Sequence, residues 1–243
     1  MKILEVYPFG EGLGQAFRKN GHDVFVVDFK DRPKYQVTSA VVVPDGPDGL
    51  DGWSPPRERW DLVLLRPFCT TYSRASAFMH YRDLHNGHAL TEPARRGDRI
   101  VCSMMRIATD AKPRYGWVLE NPHALLAKCA FMHDVPVVTV TLCQYGAKFR
   151  KATDLFGSVP STFVPKACKM GADCHAHSQW VDKKGQTWGT SVTNGPHPGR
   201  EFDHQTAFER AFLPYRLSAD LERAFRQVSG SPNATESTYG DLT

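Results

Sequence analysis

The chain has 243 residues, 41% of them hydrophobic, and a formal charge of +4 from 30 basic and 26 acidic residues. That length suffices to bury a full core and fits one domain with a small appendage. The mild basic excess is compatible with a polyanion partner. Six scattered cysteines argue against a disulfide framework, and no stretch resembles a signal peptide or a membrane span, so a cytoplasmic protein without membrane contact is expected.

Ile3 to Tyr7 reads as an apolar strand, followed by the turn Pro8-Phe9-Gly10-Glu11-Gly12-Leu13-Gly14. A short helix over 15–20, a strand over Val24 to Val27 and the acidic Asp28 come next. Strand, glycine-rich turn, helix, strand and acid form the layout of a nucleotide-binding half of a doubly wound sheet, which makes Gly10, Gly12, Gly14 and Asp28 cofactor candidates. Asp45 to Arg59 is rich in Gly, Pro and Asp and reads as loop. Trp60 to Leu65 is a buried strand that ends at Pro67-Phe68-Cys69. From Tyr72 to Arg99 the pattern is polar and irregular and predicts a mobile loop over the site. Ile100 to Ala111 has helical periodicity, and Pro122 to His133 predicts a second, shorter helix. Between them lies the strand and turn Gly116-Trp117-Val118-Leu119-Glu120-Asn121-Pro122. Val135 to Val140 is a further strand, leading into Cys143-Gln144-Tyr145-Gly146 and Arg150-Lys151.

Residues 152–203 hold few apolar runs and read as an irregular insertion. Helical periodicity returns between Phe208 and Arg226, where Pro214 is expected to break or kink the helix. The tail from Ser229 to Thr243 is small and polar and is expected to be disordered. The organisation expected is a catalytic and cofactor-binding domain over 1–151, a recognition region over 152–203, returning helices over 204–228 and a tail over 229–243.

Three strand ends thus carry a thiol (Cys69), a carboxylate (Glu120) and a guanidinium (Arg150). Together they suit nucleophilic attack on an electron-poor ring with a proton donor beside it. Separately, Cys69 reads as a buried structural thiol, Glu120 as a helix-start carboxylate and Arg150 as a solvated charge. In this order, Pro67-Phe68-Cys69, Glu120-Asn121-Pro122 and Gln144-Tyr145-Gly146 with Arg150-Lys151 resemble the DNA cytosine carbon-5 methyltransferases, most closely the small phage-type members. The resemblance runs along nearly all of residues 3–151.

It implies an α/β fold with a doubly wound, mostly parallel sheet of the S-adenosylmethionine-dependent methyltransferase type, plus a small irregular insertion. It also implies that Cys69 adds to carbon 6 of the base and that Glu120 assists at ring nitrogen 3. Arg150 would hold the base, and S-adenosylmethionine would lie at the glycine turn with Pro67 beside it. DNA is then the partner, and the cytoplasm of the host the location for a phage-encoded chain. Two positions depart from the family pattern: the glycines of the first turn are shifted by one residue, and Phe68 replaces a second proline. A homologue acting on another pyrimidine or using a modified cofactor, and a non-catalytic DNA-binding module, therefore stay open.

The 152–203 region carries Lys166, Lys169, Lys183, Lys184 and Arg200 with Trp180 and Trp188, residue types that contact phosphates and stack on bases. It also carries Cys168, Cys174, His175 and His177, good ligand types for a structural zinc at a spacing that matches no common finger. The alternative is a polar loop with incidental histidines.

Overall fold

A computed structural model describes residues 1–8, 12–29, 39–44, 47–169, 172–174, 177–181, 187–191 and 212–230. A seven-stranded sheet forms its centre: β1 (Lys2–Val6), β2 (Asp23–Asp28), β3 (Ser39–Val42), β4 (Leu62–Leu65), β5 (Trp117–Pro122), β6 (Val137–Thr141) and β7 (Ala152–Gly157). Their spatial order is β3-β2-β1-β4-β5-β7-β6. The pairs from β3 through β5 are parallel, and β7 runs antiparallel between β5 and β6. The chain is therefore of α/β class with a mixed, mostly parallel sheet. A separate antiparallel pair is β8 (His177–Val181) with β9 (Thr187–Ser191).

The central strands are mostly apolar because both faces are covered, with polar side chains concentrated toward their carboxyl ends, at Glu5, Glu120 and Asn121. Leu4, Val6, Val63, Leu65 and Leu119 face α3 (Glu92–Ala111), meeting Ile100, Val101, Met104 and Ile107. Ile3, Val24, Val26, Leu62, Leu64 and Val118 face α1 (Gln15–Lys19) and α4 (Tyr215–Ser229), meeting Phe17, Leu217, Leu221 and Phe225. Each such buried side chain contributes about 1.5–3 kcal/mol. A further short helix, α2 (Pro47–Asp51), lies against α3. Among the described residues, no helix is long and apolar enough to cross a membrane.

Several expectations change. The polar stretch before Ile100 is not a free loop, because α3 already starts at Glu92. Thr91 stands at its N-cap and Pro93 in its first turn. Gly97 lies inside this helix, where a Cβ would come within 3.0 Å of the Thr71 hydroxyl. In place of a helix over 122–133 there are two 3-10 turns, Leu126–Lys128 and Ala130–Met132. Within the expected loop after Asp45 lies α2. The irregular region begins after Gly157 rather than at 152, since β7 belongs to the sheet. Of the two roles expected for Pro214 the structure shows the break and not the kink: it stands at the N-cap of α4, and residues 208–211 lie outside the described residues. The tail beyond Gly230 lies outside the described residues.

Candidate active site at the carboxyl edge of the sheet

Strand order reverses between β1 and β4: β2 and β3 lie to one side, β5 to the other. Ligands of open α/β sheets bind outside the carboxyl ends at such a point. Cys69 lies four residues past the end of β4, half-buried. Its carbonyl accepts hydrogen bonds from the N–H groups of Tyr72 at 3.0 Å and Ser73 at 2.9 Å, which closes a tight turn. The base of that turn is rigid. The buried Tyr72 donates its hydroxyl to Asp98 at 2.7 Å, and Arg82 stacks 3.9 Å above its ring. Arg82 is itself buried and donates to Gly87 O, Ala94 O and Thr71 Oγ1. Burial pushes the Tyr72 phenol well above its ordinary pKa, so it remains a donor.

Glu120 and Asn121 end the neighbouring strand, both buried. Asn121 donates Nδ2–H to Pro67 O at 3.2 Å and so ties the end of β5 to the Pro-Phe-Cys turn. Glu120 Oε2 accepts from Arg66 Nε at 2.9 Å. Residues 62, 64 and 66 of one chain segment and 118 and 120 of the other share a sheet face, which is why these two side chains meet. Among the described residues, Glu120 Oε1 and Asn121 Oδ1 are buried with no hydrogen-bond partner. Buried polar atoms in native proteins are nearly always satisfied, so each of these atoms, on opposite faces of the strand, marks a place for a ligand group or water.

The structure thus brings the ends carrying Cys69 and Glu120 side by side. Arg150 lies just before β7, half-buried, and donates Nη2–H to Cys168 O at 3.4 Å. Its Nε has no partner among the described residues. The guanidinium on Glu120 is Arg66, which sequence reasoning missed. Its signal was a charge closing the apolar run Leu62-Val63-Leu64-Leu65.

Near the end of β1 the missed residue is Glu5, a charge between the apolar Leu4 and Val6. It is buried, accepts from Gly14 N at 2.8 Å and pairs with Arg18 at 2.5 Å. A Cβ at Gly12 or Gly14 would collide with this carboxylate, which explains both glycines locally. Gly10 lies outside the described residues. Asp28 is buried at the end of β2 and accepts from Phe29 N at 2.8 Å. Phe29, Tyr7 and Phe68 form an aromatic group, with ring centroids 5.2–5.8 Å apart, that spans the ends of β2, β1 and β4. Phe68 packs into this group, and Pro67 is buried beside it. Ser218 of α4 accepts from Ala16 N at 2.9 Å, and Gln15 donates to Leu213 O at 3.0 Å, so α4 secures the glycine turn from behind. Exposed His123 is oriented by buried Asp154 at 2.9 Å, one residue past β5.

The expected zinc ligands are only partly described. Cys168 and Cys174 come together, but with Cys143, a third thiol outside the expected set. His175 lies outside the described residues, and for His177 only the backbone in β8 is described. Burial pushes the Cys143 thiol up to about 12, aided by its hydrogen bonds with Cys168 and Cys174. For Cys168 burial raises the pKa, but hydrogen bonds from Cys143, Thr141, Cys174 and Arg150 outweigh it and hold the thiol below its ordinary value.

No protein-family model matches the chain, and no curated protein does. Among solved structures, a crystal structure of WbdD and a co-crystal structure of WbdD with the kinase inhibitor LY294002 are similar at 10% identity and a TM-score of 0.32. Each match covers 96% of this chain and 51% of the other, so the chain spans about half the length of these proteins.

Proposed function

We propose that the protein transfers a methyl group from S-adenosylmethionine to carbon 5 of cytosine in DNA, through a covalent adduct on Cys69. The observation that carries this reading is the pair of joined strand ends. Cys69 sits on a braced turn, Asn121 ties that turn to the next strand, and Glu120 there keeps one buried oxygen with no hydrogen-bond partner among the described residues. Reversal of strand order between β1 and β4 supports a fold of the S-adenosylmethionine-dependent methyltransferase type.

The residues at the glycine turn fit that cofactor better than a dinucleotide. A pyrophosphate needs open N–H groups at the turn. Here Gly14 N–H already donates to Glu5, and two buried acids, Glu5 and Asp28, lie at the ends of β1 and β2. Negative charge suits a ligand carrying a sulfonium and an ammonium. Gly10, Gly12, Gly14, Asp28 and Pro67 would hold it, with the aromatic group of Tyr7, Phe29 and Phe68 as the apolar wall for its adenine. When bound, S-adenosylmethionine supplies the methyl group to carbon 5 of the base.

Cys69 acts as a thiolate and forms a bond to carbon 6, which makes carbon 5 electron-rich. Glu120 assists by a proton or hydrogen bond at ring nitrogen 3, with Arg66 fixing its other oxygen. After methylation a water takes the carbon-5 proton, its bonding pair re-forms the ring double bond as the Cys69 thiolate is expelled, and a proton given at ring nitrogen 3 returns to Glu120. Arg150 is the second guanidinium, available to the base or its phosphate. In duplex DNA the base must first leave the stack, at a cost of a few kcal/mol. Contact with DNA is assigned to the region of β8 and β9. Trp180 stands opposite Trp188 in that pair, and Lys183 and Lys184 fall in the sequence between the strands.

Phe68 favours one second reading. Its packing against Tyr7 and Phe29 reshapes the wall beside Cys69, as a homologue acting on another pyrimidine or with a modified cofactor would require. Calorimetry with S-adenosylmethionine, followed by a methyl-transfer assay on DNA of mixed sequence, separates these. Binding with transfer to cytosine is expected. Binding without it favours the second reading, and no binding overturns both in favour of a DNA-binding module.

A further inference from the structure

Three thiols from distant points of the chain meet at the carboxyl end of β6. Cys143 lies in a 3-10 turn, Leu142–Tyr145, directly after the strand. Cys168 and Cys174 belong to the irregular stretch that follows β7. The three Sγ atoms lie within 4.8 Å of one another, with Cys143 to Cys168 at 3.1 Å and Cys143 to Cys174 at 3.7 Å. Backbone bonds set this approach. Thr141 N donates to Lys166 O at 3.0 Å, Cys168 N to Thr141 Oγ1 at 2.7 Å, and Lys166 N to the Tyr145 hydroxyl at 3.1 Å.

The stretch that brings the cysteines in is anchored at its start by Phe163, buried in the core, by Thr162 donating to Ala224 O at 3.2 Å, and by Lys166 paired with Asp220 at 2.5 Å. Residues 164–167 are exposed, with Val164 at 72%, and none of 158–169 lies in a helix or strand. Holding Cys168 and Cys174 at the turn beyond these anchors adds an ordering cost of about 1–2 kcal/mol per residue. Thiols add little as hydrophobes, but as thiolates they are strong ligands for a soft divalent ion. Tetrahedral zinc with Zn–S bonds of about 2.3 Å places its sulfurs about 3.8 Å apart. The 3.7 Å separation already matches that edge, and the 3.1 Å pair needs to open by less than an ångström.

We infer that Cys143, Cys168 and Cys174 form a structural zinc site that staples the segment after β7, and with it the start of β8, to the edge of the sheet. Sequence offers His175 and His177, after Cys174, as ligand types for the fourth position. A disulfide between Cys143 and Cys168 is the competing chemistry, but it leaves the third thiol without a role. The site adjoins Arg150, which donates to Cys168 O at 3.4 Å, but its test reads metal content and does not depend on activity.

The test uses the untagged full chain, purified under reducing conditions, with zinc measured per chain and far-UV circular dichroism recorded before and after chelation. One equivalent of zinc is expected. Cobalt substitution should give a thiolate charge-transfer band and the strong d–d bands of a tetrahedral site. Cys143→Ser, Cys168→Ser and Cys174→Ser should each lose the metal, while Cys102→Ser keeps it. Replacing His175 and His177 together by alanine should shift the cobalt d–d bands. The wild-type spectrum keeps the inference testable even where a serine variant misfolds. A folded wild-type chain that takes up neither zinc nor cobalt overturns it, as does a Cys143–Cys168 disulfide that survives purification under reducing conditions, or zinc retained in all three serine variants.

Discussion

Glu120→Gln keeps the shape of the side chain and removes the charge that faces Arg66. Both residues are buried, Arg66 at 6% exposure and Glu120 at 3%, so the change is felt in the fold as well as in the chemistry. Removing one partner of a buried ion pair costs about 3–5 kcal/mol, but glutamine keeps an acceptor for Arg66 Nε–H, which lowers the cost to about 1–3 kcal/mol. For a chain of this size the melting temperature then falls by about 2–4 °C per kcal/mol. A domain that starts with only about 5 kcal/mol keeps about 2 kcal/mol and remains more than roughly nine-tenths folded at 25 °C. Unfolding therefore removes little of the rate. Loss of a group that assists at the ring nitrogen removes about 10²–10⁴-fold, or roughly 2.7–5.4 kcal/mol of barrier. Initial rates with tritiated S-adenosylmethionine on mixed-sequence DNA, divided by the folded fraction from circular dichroism at the same temperature, separate the two effects. A rate per folded molecule within about twofold of wild type, with the melting temperature lowered, would refute the catalytic reasoning and leave Glu120 as a structural partner of Arg66.

Cys69→Ser is expected to abolish methyl transfer and covalent trapping on DNA containing 5-fluorocytosine while moving the melting temperature little, because the half-exposed thiol is not part of the core; residual trapping would reassign the nucleophile. Gly14→Ala forces a methyl group against the Glu5 carboxylate and should cost about 1–3 kcal/mol, read by urea denaturation; an unchanged midpoint would show that the turn is looser than described. Burial pushes the Cys129 thiol from 9.0 up to about 11, so the fold prefers it protonated. Between those values the unfolded chain has lost a proton that the folded chain holds. Stability should be full below about 9 and fall as pH rises through about 11, and Cys129→Ala should flatten that part of the melting profile. Reversing the charge of Lys183 and Lys184 together, outside the described residues, should weaken DNA binding and flatten its salt dependence without altering cofactor affinity; wild-type DNA affinity at low salt would remove the region from the interface.

What was legible in the sequence follows from what each signal measures. Strands β1, β2, β4 and β5 were visible because an apolar run needs no knowledge of its partner, and Cys69 and Glu120 stood out as chemistry at the ends of such runs. β7 was hidden because Thr153 and Asp154 interrupt it, and the structure shows Asp154 buried against His123 and Thr139 rather than solvated. The first turns of α3 were hidden because Ala94 is the one fully buried residue before Ile100, so the period of the helix is not written in apolar residues there. Arg66 and Glu120 lie 54 residues apart, and no local pattern announces that a strand-end arginine and a strand-end glutamate will meet. Cys143 was read as part of a strand-end segment, yet its nearest thiols are 25 and 31 residues away.

The most direct test of the account is the identity of the product. Mixed-sequence DNA incubated with the protein and S-adenosylmethionine carrying a deuterated methyl group is digested to nucleosides and analysed by mass spectrometry. The account predicts the label in 5-methyldeoxycytidine and nowhere else, and none with Cys69→Ser. Label on an exocyclic nitrogen of cytosine or adenine, which needs no thiol adduct, would contradict it, as would unlabelled DNA from protein that binds the cofactor.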